Sequence, residues 1–310
     1  MNYHHRGWIN FIYYSNGDNY YIPPVVEFTS MQAHERYVPD AHRVGVLTAT
    51  VLLTYALTRL VNAPGFTVSI QLPGFYFAYP LTMGTAMTLM AAGLTASGMD
   101  WLLRNHPSMD VLPSSKLFPS ERTFEHWLLP ALTAFIVGVL LDILPSGELW
   151  WVGFIAGAVL LVSVFIAEYI AVDAGAPLYP LASAGLTALS YALFLIFVIA
   201  LRIGGARLFL IAPAIFLAAG LVTLRTLHLR FGGQWEYIWA FGIGLICAQL
   251  AAGLHYWPLT SLQFSLVLLG PLYGLIVLAT NLNEDVPIRK ALTEPGVILG
   301  ALWVAAIFLH

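Results

Sequence analysis

Nine long, nearly uncharged apolar runs divide this chain of 310 residues. They lie at about 44–61, 79–101, 127–144, 150–172, 181–201, 208–224, 236–254, 261–280 and 294–310. A helix rises 1.5 Å per residue, so roughly 20 apolar residues cross a hydrocarbon layer about 30 Å thick. The runs are too long and too continuously apolar for the short alternating strands of a transmembrane barrel. Composition agrees. Charged residues are 9% of the chain and hydrophobic residues 59%, against about 25% charged in an average soluble domain. So few charges cannot cover a soluble surface of this size, and lipid must be the main solvent. A soluble enzyme, a nucleic-acid binder and a disordered segment are excluded. The expected fold is an all-α polytopic membrane bundle of about nine spans over 44–310, preceded by a separate arm at 1–43.

Local punctuation supports the divisions. Asn62-Ala63-Pro64-Gly65, Pro145-Ser146-Gly147 and Gly175-Ala176-Pro177 each stop a run, because glycine and proline favour turns over helix continuation. Runs five and six are divided only by Arg202-Ile203-Gly204-Gly205-Ala206-Arg207, so 181–224 reads either as two spans or as one irregular one. Glu294-Pro295 suits a helix start, where a missing N–H and a negative charge are both tolerated. Positive charge sets the orientation. With the N-terminus cytoplasmic, Arg6, Arg36, Arg43, Arg104, Lys116, Arg122, Arg225, Arg230, Arg289 and Lys290 lie inside, and Arg59, Arg202 and Arg207 outside. The C-terminus is then external and the expected location is the inner cell membrane. Residues 1–43 hold no apolar core of a cleavable leader, so the first run is expected to act as the targeting signal.

The arm at 1–43 is rich in aromatics, including Trp8, Tyr13, Tyr14, Tyr20 and Tyr21. A disordered tail would not carry so many. It reads as a docking arm or as an interfacial aromatic belt. In the first external loop, Val68, Ile70 and Leu72 alternate with Thr67, Ser69 and Gln71, the period of two of an extended segment. Phe75 to Tyr79 then form an aromatic anchor. The loop at 102–126 reads as a solvated connector.

Helices in lipid associate through small residues that allow close approach. Ala240, Gly244, Ala248 and Ala252 recur every four residues, as do Gly84, Thr88, Ala92 and Ala96, and Gly153 precedes Gly157 by the same step. These faces are expected to be internal seams. Pro213 and Pro271 lie inside runs and are expected to kink them.

Polar groups at membrane depth are the default functional candidates. Glu168, Arg59, Asp142 and Gln249 are the buried-polar set. Arg59 and Asp142 share the external side and could pair. Glu168 is the best single candidate for a titrating or cation-binding group, and could pair instead with Arg225 or Arg230. His255 and Trp257, in the segment His255-Tyr256-Trp257-Pro258, mark an external rim. No catalytic residues and no metal site are expected. The nine histidines fall in the arm, loops or run ends, which disfavours a haem held between facing helices. The single cysteine, Cys247, excludes an internal disulfide and an all-cysteine metal site. No cofactor is expected, although lipid, quinone or carotenoid sites leave no motif.

Three short motifs prompt a comparison: Leu72-Pro73-Gly74-Phe75 before a run, Gly253-Leu254-His255-Tyr256-Trp257-Pro258-Leu259 between two others, and the Glu294-Pro295 opening. On these the chain resembles an uncharacterised family of multi-pass bacterial membrane proteins of unknown function. The resemblance implies no activity, substrate or catalytic residue.

The expected function is a non-enzymatic membrane subunit or scaffold of a larger, energy-transducing assembly. Its partners would be the lipid bilayer and other membrane subunits. The first alternative is a carrier of a small apolar or weakly polar solute, with Glu168, Gln249, Pro213 and Pro271 along its route. The second is an intramembrane lipid-modifying enzyme, built on the rim of Arg59, Asp142, Glu148 and His255.

Overall fold

A computed structural model describes residues 39–60, 66–72, 75–104, 106, 124–231, 234–284 and 286–309. The docking-arm residues Trp8, Tyr13, Tyr14, Tyr20 and Tyr21 lie outside the described residues, as does nearly all of the 102–126 connector.

Among the described residues, nine long helices follow one another. They are α1 (Ala41–Leu60), α2 (Met83–Leu103), α3 (Phe124–Ile143), α4 (Glu148–Ala171), α5 (Tyr179–Ile203), α6 (Leu208–Arg230), α7 (Tyr237–Leu254), α8 (Ser261–Asn283) and α10 (Thr293–Phe308), with a single turn α9 (Ile288–Ala291) before the last. Eight segments are both long and apolar enough to cross a membrane, α9 and α10 counting as one, which marks a multi-pass membrane protein. α2 is the exception. It is long enough, but Thr85, Thr88, Thr95, Ser97 and Asp100 dilute its apolar content.

The expected second run began at residue 79. The structure instead ends an antiparallel hairpin there, made of β1 (Phe66–Leu72) and β2 (Phe75–Leu81). Leu72 pairs with Phe75 and Phe66 with Leu81. The extended segment read from the alternation is therefore one arm of a ribbon, and the aromatic anchor is the other. Thr67, Ser69 and Gln71 of β1 are exposed, as the period of two requires. Thr82 then caps α2 by accepting from the Thr85 N–H.

The six-residue divider between runs five and six is a turn. Gly205 takes a φ of 63° there, a left-handed conformation that glycine adopts without strain. So 181–224 forms two helices.

Cross-helix contacts fix the direction of successive helices. Arg43 at the start of α1 lies over the Trp101 ring at the end of α2. Arg59 at the end of α1 reaches the carbonyls of Leu141 and Leu144 at the end of α3. The Tyr179 hydroxyl at the start of α5 donates to Leu229 O at the end of α6. Neighbours in sequence thus run antiparallel, as short connections demand.

Two cores fill the bundle. One, including Val51, Tyr55, Met99, Leu141, Leu161 and Phe165, joins α1 to α4. The other, including Phe194, Val198, Ile215, Phe264, Leu268 and Leu272, joins α5 to α8. A smaller cluster of Leu129, Ile136, Val164, Leu186 and Leu193 bridges the halves through α3, α4 and α5.

The small-residue seams form largely where spacing put them. A Cβ on Gly244 of α7 would stand 2.8 Å from Phe216 O of α6, so these two backbones approach closely. Ala240 and Ala248 are buried on the same face. Gly153 and Gly157 of α4 receive Leu144 and Val137 from the α3 side. On α2 the stripe turns. Gly84 and Thr88 face Asp142 and Gly138 of α3, but further along the buried positions are Ala91, Thr95 and Met99, with Ala92 and Ala96 half-buried. A straight helix drifts off a strict four-residue stripe because its period is 3.6. Pro213 and Pro271 lie inside α6 and α8, and Pro130 lies inside α3.

Candidate functional site

Glu168 sits one turn before the end of α4, Arg225 about one and a half turns before the end of α6, and His126 in the first turn of α3. Antiparallel alternation brings these three positions to the same end of the bundle. Glu168 Oε2 accepts from Nη2 of Arg225 and lies 2.9 Å from Nδ1 of His126. Glu168 is 0% exposed, Arg225 1% and His126 6%. A carboxylate removed from water this completely requires a cationic or hydrogen-bonding partner, and it has both. With Nδ1 protonated, His126 donates to the carboxylate, an assignment made from the hydrogen-bond geometry.

Glu168 and His126 belong to the half-bundle α1–α4, and Arg225 to α5–α8. The ion pair therefore spans the boundary between the two cores. Within the site, Glu168 Oε1, Arg225 Nε, Arg225 Nη1 and Thr226 Oγ1 are buried without a hydrogen-bond partner among the described residues. Buried polar atoms of this kind are where ordered internal water sits.

More polar aromatic groups gather at this end. His106, just past α2, is 2% exposed and meets the Tyr169 ring edge-on at 4.5 Å. Burial pushes its imidazole below the ordinary range, the Asp173 charge pulls it back, and His126 pushes it down further. His228, one turn beyond Arg225, is buried and stacks on Trp235 at 4.3 Å.

Chemically, the cluster is a compensated charge set with a hydrogen-bonded imidazole. It ties α3, α4 and α6 together. No group of three metal-ligating side chains occurs among the described residues. The Arg225 guanidinium, already bound to Oε2, opposes a second cation there.

The other sequence candidates lie elsewhere. Arg59 does not pair with Asp142. Its guanidinium donates to Ser146 Oγ at 2.9 Å and to the Leu141 and Leu144 carbonyls, and it lies over the Trp150 ring at 5.3 Å. The last carbonyls of a helix lack intrahelical partners, and a cation there meets the negative end of the dipole. That competes well with a carboxylate, and Asp142 instead abuts Gly84 of α2. Gln249 is exposed on the outer surface of α7, away from Glu168. His255 and Trp257 are tied through their backbone. Arg202 of α5 donates to His255 O at 2.9 Å and to Trp257 O at 3.3 Å, and lies over Phe264 at 4.9 Å.

His126 was missed as a site residue, as was the role of Arg202. The signal for His126 was present. Glu168, Arg225 and His126 all fall at run ends on one side, at matching depth in an otherwise uncharged helix set. Arg202 carried no such signal, because a turn arginine reads as solvated.

An apolar groove of about 460 Å³ lies between α7, α8 and α10, lined by Leu250, Leu254, Gln263, Val267, Pro271 and Trp303 among others. It sits at the end opposite the Glu168 cluster, beside the Trp257 rim.

No curated protein and no solved structure matches the chain. A family model described as "Protein of unknown function (DUF5656)" matches residues 63–309. That span takes in every helix from α2 onward, including Glu168, Arg225 and His126, and the chain belongs to this uncharacterised family.

Proposed function

We propose that the protein is a non-enzymatic subunit or scaffold of a larger membrane assembly. It crosses the inner cell membrane nine times, with the N-terminus cytoplasmic and the C-terminus external. One observation carries this reading: the buried charges are paired inside or held at helix ends, and long helix faces are left outward and largely apolar. Glu168 is bound by Arg225 and His126, Arg59 by the end of α3, and Arg202 by the end of α7. Outward, α4 presents Leu149, Trp151, Val152, Ile155 and Val159, each about 60% exposed. α10 buries only Pro295 and Ala306. Such faces suit other helices as well as lipid.

The test is photocrosslinking in native membranes from Trp151 and Ile155, followed by native mass spectrometry. The expected result is a stoichiometric second polypeptide attached to the α4 face. A mass of 34.0 kDa alone, with crosslinks only to lipid, would overturn the reading.

A second reading, a carrier of a small apolar or weakly polar solute, rests on the groove beside Pro271. A proline inside a helix frees one backbone bond and permits bending there, and Gln263 offers a polar contact. Retention of solute flux after Val267→Trp, which fills the groove, would remove it.

A further inference from the structure

A second pocket, of about 420 Å³, opens between α5, α6 and α8 at the Glu168 end of the bundle. Ser183, Thr187, Tyr191, Arg230 and Tyr273 supply its polar wall, and Ala184, Ala188 and Leu229 its apolar wall. Arg230 and the Thr187 and Tyr191 hydroxyls can donate from this wall, whereas the Ser183 proton is taken by Pro180 O. Arg230 is exposed at the last residue of α6, makes no ion pair among the described residues, and lines the pocket together with Tyr191 and Tyr273. The Tyr191 hydroxyl has no hydrogen-bond partner among the described residues.

Thr187 adds a second available hydroxyl. Many hydroxyls inside apolar helices return their proton to the carbonyl one turn back. Thr48, Thr54, Thr95, Thr133, Ser190, Thr223 and Thr280 all do so here. Among the described residues Thr187, like Thr226, makes no such bond, and it lies one turn from Ser183, whose own hydroxyl donates to Pro180 O. A guanidinium fork and hydroxyl donors, with no facing carboxylate on the wall, are complementary to a tetrahedral oxyanion.

We propose that this pocket binds a phosphate ester, with Arg230 and the Thr187 hydroxyl as its principal donors and Tyr191 at its inner wall. The alanine and leucine surfaces, at the end of three membrane helices, fit the first carbons of an attached acyl-glycerol group. The phosphate chemistry is shared by a lipid headgroup and a free phosphate, and the experiment separates the two. Glu294 of α10 does not line the pocket, but it lies near enough to act electrostatically on Tyr273. Its charge opposes an anion nearby.

Native mass spectrometry of the full-length, delipidated protein tests this, with phosphatidic acid, diacylglycerol and inorganic phosphate as probes. Phosphatidic acid is expected to form a one-to-one adduct and diacylglycerol none. Arg230→Gln should weaken the adduct about tenfold, the value of one charge-assisted contact, with thermal stability unchanged because Arg230 is exposed. Thr187→Val should weaken it several-fold, and Glu294→Gln should strengthen it. Binding of inorganic phosphate with no preference for the lipid form would support the phosphate site with a soluble source. Equal binding of diacylglycerol, wild-type affinity in Arg230→Gln and Thr187→Val, or weaker binding in Glu294→Gln would overturn the proposal.

Discussion

The Arg225 guanidinium meets the Glu168 carboxylate across the boundary between two half-bundles, 57 residues apart in sequence and with neither group reaching solvent. Each charge is tolerated in the interior because the other is there. Removing one partner leaves an uncompensated buried ion, at about 3–5 kcal/mol, whereas exchanging both for apolar residues of similar volume is near neutral. Glu168→Leu and Arg225→Met are each expected to lower the thermal midpoint sharply in detergent. The double variant should recover most of the loss. Additive losses would show that the two residues act separately.

His106 gives the pH dependence. Burial holds its folded imidazole below the ordinary value of 6.5, so the unfolded chain binds the extra proton. Stability from this group is therefore full above about pH 6.5 and falls as the pH drops below it, until the folded value is passed. His106→Gln should flatten the stability profile on the acid side. An unchanged slope between pH 7 and pH 5 would place the titration in another group.

The α6–α7 seam depends on one missing side chain. A Cβ on Gly244 would stand 2.8 Å from Phe216 O and 3.4 Å from Gly220 N, both backbone atoms that cannot swing aside, whereas Gly242, two residues earlier, has open space around it. Gly244→Ala should cost about 1–3 kcal/mol, the range for overpacking. Gly242→Ala should be neutral or slightly stabilising, because alanine is the better helix former. Equal effects of the two would mean that the helices are not in close contact.

Arg59 acts as a helix-end clamp. Arg59→Ala is expected to destabilise by about 1 kcal/mol, a value kept small because the side chain is largely solvated. Arg59→Lys should recover part, keeping the charge near the carbonyls and losing the planar fork. Asp142→Asn should leave stability unchanged, since no ion pair joins Asp142 to Arg59. A drop in Asp142→Asn matching that of Arg59→Ala would restore the pair expected from sequence.

The helices were legible because lipid imposes a length and an apolar content that few other structures share. Gly204-Gly205 was legible as a turn for a local reason, the freedom of glycine. The ribbon at 66–81 was half-legible. Alternation marked β1, but the aromatics of β2 merge without a break into α2, and apolar content alone cannot tell strand from helix. The partners of Arg59 were not legible. Backbone carbonyls at a helix end leave no trace in residue identity, so a carboxylate at the same depth looked the better match. Glu168 with Arg225 was readable as a same-side possibility. His126 escaped because a histidine at a helix start has many ordinary uses.

Antiparallel crossing of a membrane, with the Glu168 end and the Arg59 end on opposite faces, underlies all of this. Single cysteines at Ser146, Tyr256 and Glu284, each exposed, test it in a Cys247→Ala background probed with an impermeant thiol reagent on intact cells. Ser146→Cys and Tyr256→Cys should label from outside, and Glu284→Cys only after the membrane is opened. Labelling of Ser146→Cys and Glu284→Cys from the same side would contradict the arrangement.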